Sequence, residues 1–123
     1  MYLTTPNGGR LRLDVTDDPV RGLMGRTYMS KNDGMFFTFD GPAQRHGMWM
    51  KNMKIPLDII WLSEDMSIVY INYDVPVCSD NGPCPTVSSV YKSKYAIELN
   101  AGTALRLALK RGDVLRVSKA PAI

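Results

Sequence analysis

Two carboxylates stand where a charge is out of place. Asp58 interrupts the apolar run Leu57-Asp58-Ile59-Ile60-Trp61-Leu62, and Glu98 interrupts Tyr95-Ala96-Ile97-Glu98-Leu99. A strand that is apolar on both faces gives its acid little water, so the charge needs a partner or takes up a proton. For Asp58, the bases at Arg21, Arg26 and Lys51 are the candidate partners. If Asp58 and Glu98 converge, they make a general acid and base pair or the seat of a hard cation, because neighbouring carboxylates force their pKa values apart or recruit a metal. If they do not, Asp58 is expected to be a buried ion pair tying the first helix to the sheet, and Glu98 a solvated acid on an outer face.

A second polar feature is Lys51-Asn52, set in the otherwise apolar run from Met48 to Ile55. Such a pair either satisfies buried backbone groups or faces a cleft. With Arg21, it forms the group most suited to meet a ligand. The single histidine, His46, has no nucleophile motif to work with and reads as a loop residue. Eight methionines, among them Met24, Met35, Met48, Met50 and Met53, could offer thioethers to a soft ion, but core packing explains them without a metal. The glycines of Arg21-Gly22-Leu23-Met24-Gly25 lack the spacing of a phosphate loop. No cofactor is expected. Cys78 and Cys84 flank Asn81-Gly82-Pro83; with one histidine in the chain they do not complete a zinc site, which leaves a local disulfide or two free thiols. The turn brings the two close enough to bridge in oxidising surroundings.

The elements that must position these residues are mostly strands. Leu11, Leu13 and Val15 alternate with polar neighbours at strand period. Thr16-Asp17-Asp18-Pro19 carries a helix-start signal, and the spacing of Val20, Leu23 and Met24 predicts a short helix to about Arg26. Strands are predicted at Met35 to Phe39, Gly47 to Asn52, Leu57 to Leu62, Ile68 to Ile71, Tyr95 to Leu99 and Val114 to Val117. The fourth and third from last form a hairpin across Ser63-Glu64-Asp65, a long loop runs from Val75 to Ser89, and a helical turn is expected within Thr103 to Leu109. This is a single mainly β domain over residues 1–123: a β-sandwich of jelly-roll type or a partly closed barrel, with one short helix near the N-terminus.

With 123 residues, 45% hydrophobic and 22% charged, the chain has enough apolar material for one core. Its net charge of +3 comes from scattered bases, without the clustering that phosphate neutralisation calls for, so no nucleic-acid partner is expected. No apolar run reaches the length of a membrane span, and Met1 to Gly9 does not read as a signal peptide.

Three stretches are more specific. Arg21-Gly22-Leu23-Met24-Gly25-Arg26, Gly34-Met35-Phe36-Phe37-Thr38-Phe39 and Met48-Trp49-Met50-Lys51-Asn52-Met53-Lys54-Ile55-Pro56-Leu57-Asp58-Ile59 resemble, in order and spacing, the family called domain of unknown function 192. Tyr95-Ala96-Ile97-Glu98-Leu99-Asn100-Ala101-Gly102, then Gly112-Asp113, is similar to its closing motif. The resemblance implies a jelly-roll-like sandwich, found mostly in bacteria and archaea and often exported, with no established activity. Together the residues and the resemblance point to a non-catalytic binding or accessory module, monomeric or weakly self-associating, for a small molecule, a glycan or a protein. Arg21, Lys51, Asn52, Asp58 and Glu98 are its candidate ligand residues. The competing readings are a small hydrolase using Asp58 and Glu98, and a structural or assembly protein.

Overall fold

A computed structural model describes residues 1–18, 22–78, 81–84 and 86–118. Among these residues nine strands and one helical turn follow in chain order: β1 Tyr2–Thr4, β2 Arg10–Thr16, β3 Asp33–Thr38, β4 Gly47–Trp49, β5 Leu57–Leu62, β6 Ile68–Val75, β7 Thr86–Ser88, β8 Tyr95–Asn100, α1 Thr103–Arg106 and β9 Arg116–Ser118. Seven strands form one mixed sheet in the order β6-β5-β8-β3-β2-β1-β9, and β4 and β7 form a separate ribbon. The sheet is open, with β6 and β9 at its edges, so the expected partly closed barrel is not formed. Closure would need β6 to pair with β9. Instead the β6 edge bonds to the turn before β9, through Ile68 N–H to Asp113 O and Gly112 N–H to Ile68 O, both 2.8 Å.

Side-chain alternation divides the core in two. Leu11, Leu13, Phe36, Ile60, Leu62, Ile97 and Leu99 share one face with Leu3, Ala104 and Leu115. Met35, Phe37, Ile59, Trp61 and Ala96 share the other with Leu23, Met29, Met48, Met50 and Met53. Because both faces are covered, β5 is buried at every position, as its unbroken apolar reading requires.

β2 and β3 run parallel, from Arg12 opposite Asp33 to Thr16 opposite Phe37. Parallel neighbours need a long crossover. Residues 17–32 make it, and their Leu23 and Met29 lie in the methionine-rich cluster. The helix expected there is not found: residues 22–25 form turns, and the helix among the described residues is α1, on the C-terminal side. Gly22 at φ 37° and Gly25 at φ 79° take left-handed backbone, which interrupts a right-handed helix at the positions where its apolar spacing looked best. Pro19 to Arg21, the start of that expected helix, lie outside the described residues. Two short strands also escaped the sequence reading, β1 at the N-terminus and β7 inside the long loop.

Candidate functional site

Asp58 and Glu98 lie on neighbouring strands and point to opposite faces of the sheet. In the β5–β8 ladder Asp58 is opposite Leu99 and Ile59 is opposite Glu98, so the two carboxylates are one register step apart. One step is enough to send them to different faces. They do not converge, and the geometry for a shared proton or a shared cation is absent between them. Among the described residues no group of three or more His, Cys, Asp or Glu gathers to hold a metal.

Asp58 is 1% exposed and its partners are backbone amides. Oδ1 accepts from Asp74 N–H at 2.8 Å; Oδ2 accepts from Gly102 N–H at 3.1 Å and Ala104 N–H at 2.9 Å. The expected basic partner is replaced by this set: Arg26 pairs with Asp14 at 3.2 Å, and among the described residues no Lys or Arg lies within ion-pair reach of Asp58. The reason lies in the neighbouring chain. Asp74, at φ 49°, stands where the β5–β6 register shifts, and Gly102 opens the turn into α1, so both segments carry N–H groups that need an acceptor outside the ladder. A carboxylate accepting several N–H groups is a stable buried state. Asp58 is thus a clamp between β5, the end of β6 and α1.

Glu98 is the opposite case. It is 6% exposed, not solvated as the outer-face reading expected. Its register neighbours are Met35 on β3 and Ile59 on β5, and no hydrogen bond or ion pair to its side chain is found among the described residues. Burial pushes its carboxyl up to about 7. The crossover comes down onto it. A Cβ added to Gly22 would stand 3.3 Å from Glu98 Oε1 and 2.8 Å from Phe37 Cζ, so close an approach that the chain can pass only as glycine.

Lys51 and Asn52 form a tight turn, closed by Met53 N–H to Met50 O at 3.1 Å, with Asn52 at φ 63°. Met50 and Met53 point into the core, Lys51 is half-buried and Asn52 is exposed. Asn52 O accepts from Gly25 N–H at 3.1 Å, which pins this turn to the crossover turn. The structure therefore joins the 50–53 turn, the 22–25 turn and Glu98 on the methionine face, and leaves Asp58 on the other. Arg21 lies outside the described residues. His46 is half-buried with its ring stacked on Phe39, centroids 3.8 Å apart, and burial lowers its pKa. Cys78 and Cys84 are joined in a disulfide. Beside it lies a crevice of about 220 Å³ lined by Met50, Val75, Val77 and Val87 among others.

One feature had no signature in the sequence. Tyr70, Ile71, Tyr73, Tyr91 and Arg111 line a groove of about 230 Å³ beside the β6 edge. Its members come from three separate stretches, and nothing in their spacing joins them.

These observations define a mainly β protein with an open mixed sheet and a buried carboxyl that has no polar partner among the described residues, under two interlocked turns. The chain belongs to the domain of unknown function 192 family (Uncharacterized ACR), whose model matches residues 4–117. It is similar to two solved structures. A proposed transcription regulator from Sinorhizobium meliloti is 33% identical with a TM-score of 0.81, covering 94% of this chain and 89% of that one. A protein of unknown function from Novosphingobium aromaticivorans is 27% identical with a TM-score of 0.81, covering 94% and 82%. No curated protein matches the chain.

Proposed function

We propose that the protein is a non-catalytic binding module whose ligand brings a hydrogen-bond donor, best a protonated amine, to Glu98. The observation that carries this is the isolation of that carboxyl: it is buried without a polar partner among the described residues. A group so placed costs stability unless something pairs with it, and a ligand's ammonium is a suitable complement. Lys51 and Asn52, on the turn pinned to Gly25, are the rim residues of this reading. Asp58 belongs to the scaffold, since both of its oxygens are occupied. The hydrolase reading loses its support with the separation of Asp58 from Glu98. Met48 of β4 and the partly buried Val87 of β7 pack into the methionine cluster, which supports taking the ribbon as the second layer of a jelly-roll-like sandwich over the site.

The test is a thermal-shift screen at pH 8 with methylammonium, arginine and spermidine, on the native protein and on Glu98→Gln. The native protein should gain melting temperature with at least one probe and Glu98→Gln should gain none. Equal shifts in both, or no shift in either, would reject Glu98 as the anchor. Turnover of any substrate that depends on Glu98 would reject the non-catalytic reading.

A further inference from the structure

Arg111 and the tyrosines around it lie apart from the Glu98 site. Arg111 Cζ sits 4.1 Å above the centre of the Tyr91 ring, and its Nη1 donates to the Tyr91 hydroxyl at 3.2 Å. Stacking and hydrogen bond together hold the guanidinium in one place, which lowers the cost of ordering it on binding. A guanidinium has five N–H donors, and this one spends a single donor on protein among the described residues. No carboxylate there pairs with it. Asp113, its near neighbour in the chain, is taken by Lys110, whose Nζ lies 3.1 Å from Oδ1 and whose N–H donates to Oδ2 at 3.0 Å. The groove is thus an aromatic hollow with an unanswered positive charge, the complement of a ring that carries an anion.

Size and shape narrow the occupant. At about 230 Å³ the groove is smaller than the roughly 300–1,000 Å³ of drug-sized sites, so it suits one ring. The Tyr70 and Tyr91 rings are 6.1 Å apart and inclined at 56°, which offers two separate faces and no parallel slot for a flat aromatic guest. Phenol hydroxyls stand at hand, and that of Tyr91, already accepting from Arg111, keeps its own proton to donate. A pyranose matches both features, with C–H groups for the ring faces and hydroxyls for the phenols. An added peptide strand fits less well. The β5–β6 register shifts twice along β6, Asp74 has positive φ, and Ile68 already bonds to residues 112 and 113, devices that blunt an edge against strand addition.

We infer that the groove formed by Tyr70, Tyr73, Tyr91 and Arg111 is a binding site for a sugar acid, a single pyranose carrying a carboxylate that Arg111 receives. Tyr73 and Tyr91 are 48% and 40% exposed, so the ring reaches them from solvent without a rearrangement. The carboxylate takes two of the free guanidinium donors side by side, a geometry that an ammonium cannot reproduce.

The probes are methyl galacturonoside, neutral methyl galactoside and benzoate, followed by backbone amide NMR on the native protein, Arg111→Gln and Arg111→Lys. Methyl galacturonoside should move the amides of residues 70–73, 91 and 110–112 at concentrations up to about 10 mM, with weaker binding as salt rises. Methyl galactoside and benzoate should each bind at least about tenfold more weakly, and Arg111→Gln should lose about tenfold or more while Arg111→Lys recovers only part of it. Because Arg111 is exposed, an unchanged amide spectrum elsewhere will certify that both variants are folded. Absence of shifts with methyl galacturonoside, binding that survives Arg111→Gln unchanged, or tighter binding of benzoate than of methyl galacturonoside would each overturn the assignment.

Discussion

Asp58 and Glu98 have similar burial on adjacent strands, yet one is fully satisfied and the other is not. Asp58 meets three backbone N–H groups that the ladder leaves over, so its charge is used to hold β5, β6 and α1 together. Glu98 meets Met35, Ile59, Phe37 and the close backbone of Gly22, none of which offers it a donor. Burial of an acid is therefore no guide to its role until its donors are counted. A satisfied carboxylate stabilises; an isolated one is kept at a cost that a ligand can offset.

The largest effect should come from removing the satisfied member. Asp58→Ala strands three N–H groups and should cost about 3–5 kcal/mol in urea unfolding, with Asp58→Asn falling between it and the native protein. A loss under about 1 kcal/mol would erase the distinction between the two acids.

The next effect concerns the isolated member and depends on pH. Its folded pKa of about 7 lies above the ordinary 4.5, so the native state holds this proton more tightly than the unfolded chain. Stability tied to Glu98 is then intact below pH 4.5 and falls as pH rises toward 7, by about 3 kcal/mol in total. Glu98→Gln should lack that fall, so its stability relative to the native protein should rise by this amount between pH 4.5 and 8. Parallel stability curves for the two proteins would show that Glu98 titrates normally and is not isolated.

The smallest effect separates packing from backbone at the crossover. Gly22→Ala forces a methyl against Phe37 beside Glu98 at positive φ and should cost about 2–3 kcal/mol, whereas Gly25→Ala, also at positive φ but with open space around its Cβ, should cost about 1 kcal/mol. Equal costs, read from melting temperatures, would mean that the approach to Glu98 is looser than the structure has it.

Much of the architecture was legible because strands write themselves in alternation and in apolar runs. Leu11 and Leu13, the Leu57 to Leu62 hairpin arm and Tyr95 to Leu99 all lie in the strands expected of them, and the turn at Thr103 became α1. The crossover was misread because its apolar spacing is helical while its glycines are not, and local propensity yields where Gly22 must slip between Phe37 and Glu98. β1 and β7 were missed because three residues are too few to show a period.

For the site, the sequence by itself determined that Asp58 would be buried and that Lys51-Asn52 would interrupt an apolar stretch, since these follow from neighbours along the chain, whereas Glu98, expected on a solvated outer face, is buried under the crossover turn at Gly22. Only the tertiary structure decided which acid finds donors, because the amides of Asp74, Gly102 and Ala104 reach Asp58 across gaps of 16 to 46 residues, distances over which no sequence period carries information. The same holds for the facing of the two acids. One step of register between β5 and β8 sends them to opposite sides of the sheet, and register is a property of how strands pair, not of either strand read alone.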